Sequence, residues 1–592
     1  MQILGLPADF VAATAAGFEN EGPPAPPTPP TRSSCMSQTF TPAKRLRVKR
    51  LRVKRLRVKR LRVKRLRVKR LRVSFAVLAF ALLGMGSPAA EPTGSREELH
   101  PQTEASSRPN IILFLVDDMG WQDTSVPFWE QATEFNAHYK TPNMERLAAS
   151  GVRFTQSYSC AVCSPTRTSL MTGQNAARHR VTQWTRTGND PSGKTERLKS
   201  PADWNVRGLQ PGLPTLPHLL RDVGYRTIHV GKAHWGTVGT PGADPTQLGF
   251  DRNIAGHSAG APGSYQGVAK YGRAKPDWSV PGMESFHGLP IHLTDALTVR
   301  AIDEMEQSVA EQKPFYLYMA HYAVHTPIQP HEPYSQHYRE AGVNETEARY
   351  AGMVQGMDAS LGALLDAVDR LEVARNTIVV FTSDNGGLSA IARGKTPRDT
   401  GKDTHNWPLR SGKGSAYEGG TRVPMIVSWA RPDAESPSQA QIPVPAGEVR
   451  STPTMVEDLF PTLLAWGGAE ASTADPIDGL DFTKLLTSDD PGRASERPLL
   501  FHYPHVWGPK GPGYEPHSAI RLGDWKLIYF YQPKRFELYD LSTDLGETQD
   551  LAASHPEQLN ELAKRLRTDL AALGAQWPTQ RETGEPEAPA WP

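Results

Sequence analysis

The chain has 592 residues, 38% of them hydrophobic and 22% charged, which is the make-up of a folded globular protein and excludes a disordered or collagen-like chain. Its formal charge of +3 is unevenly spread: residues 1–90 hold 19 of the 66 Lys and Arg and 3 of the 63 acidic side chains, leaving 47 basic against 60 acidic beyond them. An acidic body argues against nucleic acid as a partner, so an anionic ligand has to be received by a local basic pocket.

Residues 1–43 are rich in Ala, Pro and Thr with little periodicity, and no folded element is predicted there. From Lys44 to Val73 the pentad Lys-Arg-Leu-Arg-Val repeats six times. A five-residue period suits neither helix nor strand and is too short for a solenoid unit. Phe75 to Met85 is an apolar run, closed by Ser87-Pro88-Ala89-Ala90. A basic stretch, an apolar stretch and small residues in that order read as a secretory signal, and the run is too short for a comfortable membrane span. Residues 1–90 are therefore expected to be a basic repeat and signal segment outside the fold, and the protein to be exported to a periplasm or secreted.

Further on, apolar runs alternate with helical periods. Ile111 to Val116 reads as a strand buried on both faces, ending in Asp117-Asp118-Met119-Gly120. Thr141-Pro142-Asn143 opens a helix through Ala149, with Gly151 as its stop. A helix follows over 215–223, strands over 226–230 and 315–320, a helix over 350–371, and strands over 377–381 and 423–429. The strand over 377–381 runs into Thr382-Ser383-Asp384-Asn385. This alternation predicts a doubly wound mixed α/β sheet with helices on both faces over 107–470, with ligands received where strands end. After a helix over 456–466, short β-like segments over 498–503, 518–522, 525–529 and 536–539 precede a helix over 556–573. They predict a smaller α+β subdomain over 495–578.

Asp117-Asp118 and Asp384-Asn385 each close a strand. Either pair alone suits a turn or a helix cap. Together they offer four oxygen ligands from two strand ends, which is a hard-cation site. Cys160 and Cys163 form a Cys-x-x-Cys pair, which in an exported protein admits a disulfide or a redox motif. A thioredoxin-like site needs a small βαβ context that this long chain does not offer. Taken singly, Lys232 reads as a surface lysine and His234 as a core histidine, and Glu418 with Arg422 as a buried pair holding a loop.

Cys163-Ser164-Pro165-Thr166-Arg167, continuing through Leu170 to Thr172-Gly173, resembles the signature of the type I sulfatases, Cys/Ser-x-Pro-x-Arg followed by Leu and Thr-Gly. Gly231-Lys232-Ala233-His234-Trp235-Gly236 is similar to that family's Gly-Lys-x-His-x-Gly, with Ala233 and Trp235 departing from its usual aromatic and Leu. His325-Thr326-Pro327 resembles its His-x-Pro. Gly412-Lys413-Gly414 with Glu418-Gly419-Gly420-Thr421-Arg422-Val423-Pro424 resembles its Gly-Lys-Gly before Glu-Gly-Gly-x-Arg-x-Pro. The likeness runs from Arg108 to about Pro578, in the family's order.

The resemblance implies an alkaline-phosphatase-like fold and hydrolysis of sulfate esters. In that family a separate maturation enzyme oxidises the Cys to formylglycine. One hydroxyl of the hydrated aldehyde attacks sulfur, and the other lets the covalent sulfated intermediate collapse. Carried to this chain, the resemblance makes residue 163 the nucleophile and a ligand of calcium (or magnesium) beside Asp117, Asp118, Asp384 and Asn385. Lys232 would bind a sulfate oxygen, His234 the hydrated aldehyde, His325 sulfate near the leaving oxygen, and Lys413 the bridging oxygen. Arg167 would brace the formylglycine and complete a basic pocket with Lys232 and Lys413. A Cys160–Cys163 bridge would block maturation. Rival readings are a phosphonate or phosphodiester hydrolase of the same fold, and a non-catalytic binder of sulfated glycans. The aromatic and imidazole groups of His502-Tyr503-Pro504-His505-Val506-Trp507, and Asp403, His405 and Trp407, are candidates for the pocket mouth. The expected substrate is a sulfated carbohydrate, with aryl sulfates as surrogates.

Overall fold

A computed structural model describes residues 108–592 except 186–195, 390–392, 394–404, 473–475, 507–510, 590 and 592. The basic repeat, the signal segment, Asp403 and Trp507 lie outside the described residues.

Among the described residues nine strands form the main sheet: β1 (Asn110–Val116), β2 (Gly151–Tyr158), β3 (Arg226–Gly231), β4 (Arg252–Ile254), β5 (Phe315–Ala320), β6 (Thr377–Ser383), β7 (Arg422–Trp429), β8 (Glu448–Arg450) and β9 (Thr454–Met455). Their order is β9-β2-β7-β6-β1-β5-β3-β4, with β8 also paired to β2. β1 is parallel to β5 and β6, and β3 is parallel to β4 and β5. β7 runs antiparallel to both β6 and β2, which makes the sheet mixed.

Side chains alternate across a strand, so β1 feeds two cores. Ile112, Phe114 and Val116 pack on one face with α3 (Leu293–Ala310) and α4 (Glu345–Arg370); α1 (Pro142–Ala149) shares that layer. Ile111, Leu113 and Leu115 face the other layer, which holds α2 (Cys163–Thr172) and α5 (Leu459–Gly467). Burial on both faces is why the central strands read as unbroken apolar runs.

A second sheet of four antiparallel strands follows: β10 (Leu499–Tyr503), β11 (His517–Leu522), β12 (Trp525–Phe530) and β13 (Arg535–Asp540). One face packs Phe501, Ala519 and Ile528 against Tyr158, Tyr417 and Met455 of the main body. The other carries Ile520, Leu527 and Leu538 under α6 (Pro556–Leu573). Between the sheets, Lys526 Nζ lies 2.8 Å from Glu418 and 2.9 Å from Glu547, all buried.

Candidate active site

Strand direction gathers the site. Residues after β1, β3, β5 and β6 leave the same, carboxyl-terminal edge of the parallel core, where open α/β sheets receive ligands. β7 is antiparallel, so the segment before it, with Lys413, reaches that edge too. β2 runs against β7, with Tyr158 opposite Arg422, so the residues after β2, including Cys163, arrive there as well.

Cys163 is the first residue of α2, with Val162 as N-cap in extended backbone. Unpaired amide groups at a helix start favour negative charge on a side chain there. Pro165 is tolerated in this first turn because no helical hydrogen bond to its nitrogen is required. Arg167, four residues on, falls on the same helix face as Cys163. Its Nε and one terminal nitrogen lie 2.9 and 2.8 Å from Asp384 Oδ2, and the other donates to the Lys232 carbonyl at 2.8 Å. The signature thus ties the helix that begins at Cys163 to the end of β6.

Gly231, with φ of 103°, makes the turn after β3; a Cβ there would stand 1.9 Å from the Ala320 carbonyl oxygen. Lys232 Nζ lies 2.7 Å from each Asp117 oxygen and 3.8 Å from Asp384. His234 places Nδ1 3.3 Å from Cys163 Sγ. Lys413 Nζ lies 2.5 Å from Asp118 Oδ1, and His325 Nε2 lies 3.6 Å from Asp118 Oδ2. His325 Nδ1 lies 2.9 Å from the Thr326 carbonyl oxygen and 3.2 Å from the Thr326 hydroxyl. All ten sequence-predicted residues (Asp117, Asp118, Cys163, Arg167, Lys232, His234, His325, Asp384, Asn385 and Lys413) therefore sit at one edge.

The acid oxygens suit a cation. Asp117, Asp118, Asp384 and Asn385 are fully buried, yet Asp118 Oδ2 and Asn385 Oδ1 have no hydrogen-bond partner. Buried acceptors without donors are costly, and an all-oxygen set fits a hard divalent ion. Asp117, Asp118 and His325 also offer ligand atoms within 4.8 Å of one another.

Burial acts on every one of these groups, and neighbouring charges overturn it at two of them. It pushes the Asp117 carboxyl above the ordinary carboxylate range. It acts the same way on Asp118, but Lys413 and His325 hold that carboxyl below its ordinary value. Burial works to lower Lys413, and Asp118 outweighs it, keeping the ammonium charged. Burial raises the Cys163 thiol, against Lys232 and Lys413, so an unmodified thiol here is a weak nucleophile. Burial, then Lys232 and Arg167, drive His234 well down; burial and then Lys413 pull His325 to about 3. Both imidazoles are neutral near pH 7.

Cys160 and Cys163 are free and buried, with Cys160 turned toward Ser169. His321 points away from the site, its Nε2 2.9 Å from Ser360 Oγ. Of the expected pocket mouth, His502 is held by Ser518 and the Gln576 carbonyl, and His505 by Thr182 and Ser200, all buried. Tyr503 is the member that packs on Ala161 and Val162, just before Cys163, with Gln183 on its hydroxyl. Trp407 stands edge-on to Trp129. Arg393 and Asp123, which adjoin the site, carry no local motif that would mark them.

The fold and this convergence of a cysteine at a helix start, fixed cations and buried oxygens define a hydrolase of the alkaline-phosphatase-like class. The sulfatase family profile matches residues 109–469, and the profile described as N-sulphoglucosamine sulphohydrolase, C-terminal, matches residues 411–576. The chain belongs to the sulfatase family and is a sulfuric ester hydrolase. N-acetylgalactosamine-6-sulfatase of Sus scrofa is 33% identical over 465 residues, covering 76% of this chain and 77% of its own. A sulfatase of Formosa agariphila is 29% identical over 523 residues, covering 79% and 89%. The crystal structure of Ps i-CgsB in complex with k-i-k-neocarrahexaose superposes with a TM-score of 0.62 at 25% identity, covering 80% of this chain and 96% of that one.

Proposed function

We propose that this sulfatase removes sulfate from carbohydrates, using a formylglycine made from Cys163 by a maturation enzyme and a calcium ion held by Asp117, Asp118, Asp384, Asn385 and residue 163. The observation that carries the reading is Cys163 at a helix start, beside His234, among buried cations and two unpartnered oxygens, Asp118 Oδ2 and Asn385 Oδ1. When present, the formylglycine supplies the attacking hydroxyl and the ion polarises the sulfate.

The protein's own groups do the rest. Arg167 holds Asp384 and the start of α2 in register. His234, neutral, accepts a proton at the residue-163 side through Nδ1. Lys232 meets a sulfate oxygen with a charge fixed in a buried site, where it acts more strongly than in water. Lys413 faces the leaving oxygen. It is the charged group there, because burial and then Lys413 keep substrate-free His325 neutral while Asp118 keeps Lys413 protonated. An anionic substrate favours proton uptake from solvent at His325, whose Nε2 then donates to the sulfate. A carbohydrate substrate is supported by the N-acetylgalactosamine-6-sulfatase relatives and the neocarrahexaose-bound neighbour. Export is supported by the basic and apolar runs before residue 90. Among the described residues no helix is long and apolar enough to cross a membrane.

The test is product release by the matured protein from sulfated saccharides, aryl phosphates and phosphonates, with chelator and with added calcium. Sulfate release that stops with chelator and returns with calcium is expected. Dominant phosphate or phosphonate cleavage would transfer the site to the rival hydrolase. Tight glycan binding without turnover, in protein whose aldehyde is verified, would make it a binder.

A further inference from the structure

Behind the loop that carries Asp118 lies a second buried charge cluster that none of these roles uses. Its cation is Arg393, whose side chain is fully enclosed. One terminal nitrogen lies 3.1 and 3.2 Å from the two Asp123 oxygens. Nε and the other terminal nitrogen hold Glu347 at 3.3 and 2.9 Å, and the latter also meets the Tyr139 hydroxyl. The guanidinium carbon stands 3.8 Å over the Tyr350 ring.

The partners lead back to the cation site. Asp123 Oδ2 accepts the Gly120 amide at 2.9 Å and the Tyr350 hydroxyl at 2.6 Å. That hydroxyl also lies 3.3 Å from the Asp118 carbonyl. Asp118 itself is left-handed, with φ of 65°, a conformation a non-glycine residue keeps only when its surroundings impose it. From the opposite side, the Asp118 amide reaches Asp384 Oδ1 at 3.2 Å and the Met119 amide reaches Ser383 Oγ at 3.0 Å. Asp118 is thus clasped between β6 and the Arg393 cluster.

Only a guanidinium fits this place. Its planar fork bonds one carboxylate on the loop after β1 and another in the first turn of α4 while stacking on an aromatic face; an ammonium cannot do all three.

We propose that Arg393 is a positioning residue for the cation site. Through Asp123 and Tyr350 it fixes the backbone of Asp118 so that Oδ2 stays open to the ion. The inference rests on the calcium reading above. Outer partners of metal ligands typically contribute about 10–100-fold in metal affinity.

The test is calcium titration calorimetry on the folded protein. Arg393→Lys keeps the charge, so the long-range pull on a divalent ion is preserved and only the clasp is lost. Arg226→Lys serves as control: Arg226 is also buried and ion-paired, to Glu304, but opens β3 at the far edge of the sheet. Arg393→Lys is expected to bind calcium about tenfold more weakly, at the low end for outer partners, while Arg226→Lys binds like wild type even where its melting point falls as far. Tyr350→Phe keeps the ring and removes the hydroxyl; it is expected to weaken binding in the same direction, and decides the matter if Arg393→Lys does not fold. Wild-type affinity in Arg393→Lys or, failing that, in Tyr350→Phe overturns the inference, as does an equal loss in Arg226→Lys. Wild-type protein that binds no calcium overturns the calcium reading itself.

Discussion

Replacing Lys232 with Met separates what that residue does for stability from what it does for turnover. The ammonium is fully buried, 2.7 Å from both Asp117 oxygens and 3.8 Å from Asp384. Met keeps most of the bulk and removes the charge, leaving Asp117 without its partner. Removing one member of a buried pair costs about 3–5 kcal/mol. The same ammonium is proposed to meet the sulfate, and losing one fixed donor of that kind costs about 10²–10³ in kcat. Calcium offsets only the first loss: by binding the folded state it brings positive charge to Asp117 and adds stability by mass action. The assay pairs melting curves, in chelator and in saturating calcium, with steady-state hydrolysis of an aryl sulfate by protein whose aldehyde content is matched to wild type. The variant is expected to melt well below wild type in chelator, to recover much of the gap in calcium, and to stay about 10²–10³ slower. Near-wild-type turnover in calcium, or a melting gap that calcium does not narrow, refutes the reasoning.

Two further outcomes follow from the geometry. A Cβ at Gly260 would stand 2.4 Å from His234 Cε1, so Gly260→Ala must displace the ring that faces Cys163. Misplacement of about 1 Å can cost 10²-fold in rate, so kcat is expected to fall at least tenfold while calcium affinity holds; an unchanged kcat removes His234 from the mechanism. His502, on β10, is pulled from 6.5 to about 4 by burial. The unfolded chain therefore binds the extra proton between these values, and stability is lost as pH falls from about 6.5 toward about 4, by roughly 3 kcal/mol at most. His502→Gln is expected to lose less on acidification across that window; parallel melting-point curves for the two proteins contradict it.

Sequence and structure agree best where one physical signal dominates. β1, β5 and β6 are buried on both faces, so each carries an unbroken apolar run that gives way to polar residues at its carboxyl end. β2 is not legible that way: Arg153, Thr155 and Gln156 break its pattern, and its place is fixed by antiparallel pairing with β7, more than 260 residues along. The helical state of Cys163–Thr172 is hidden too, because nine of its ten residues are buried and it shows no amphipathic stripe. Lys232, His234, His325 and Lys413 are found through motifs, but their pairing with Asp117, Asp118 and Cys163 is tertiary. Arg393 and Asp123, 270 positions apart, had no signal at all: a lone Arg in a polar loop looks like a solvated side chain until the fold encloses it.

The most direct test of the central claim is the mass of the tryptic peptide Phe154–Arg167, taken from active protein matured beside a formylglycine-generating enzyme. The predicted result is a peptide lighter by the conversion of one thiol to an aldehyde, with fragmentation placing the change at residue 163 and Cys160 still a thiol. A preparation that hydrolyses sulfate esters while residue 163 remains a thiol, or is bridged to Cys160, would contradict it.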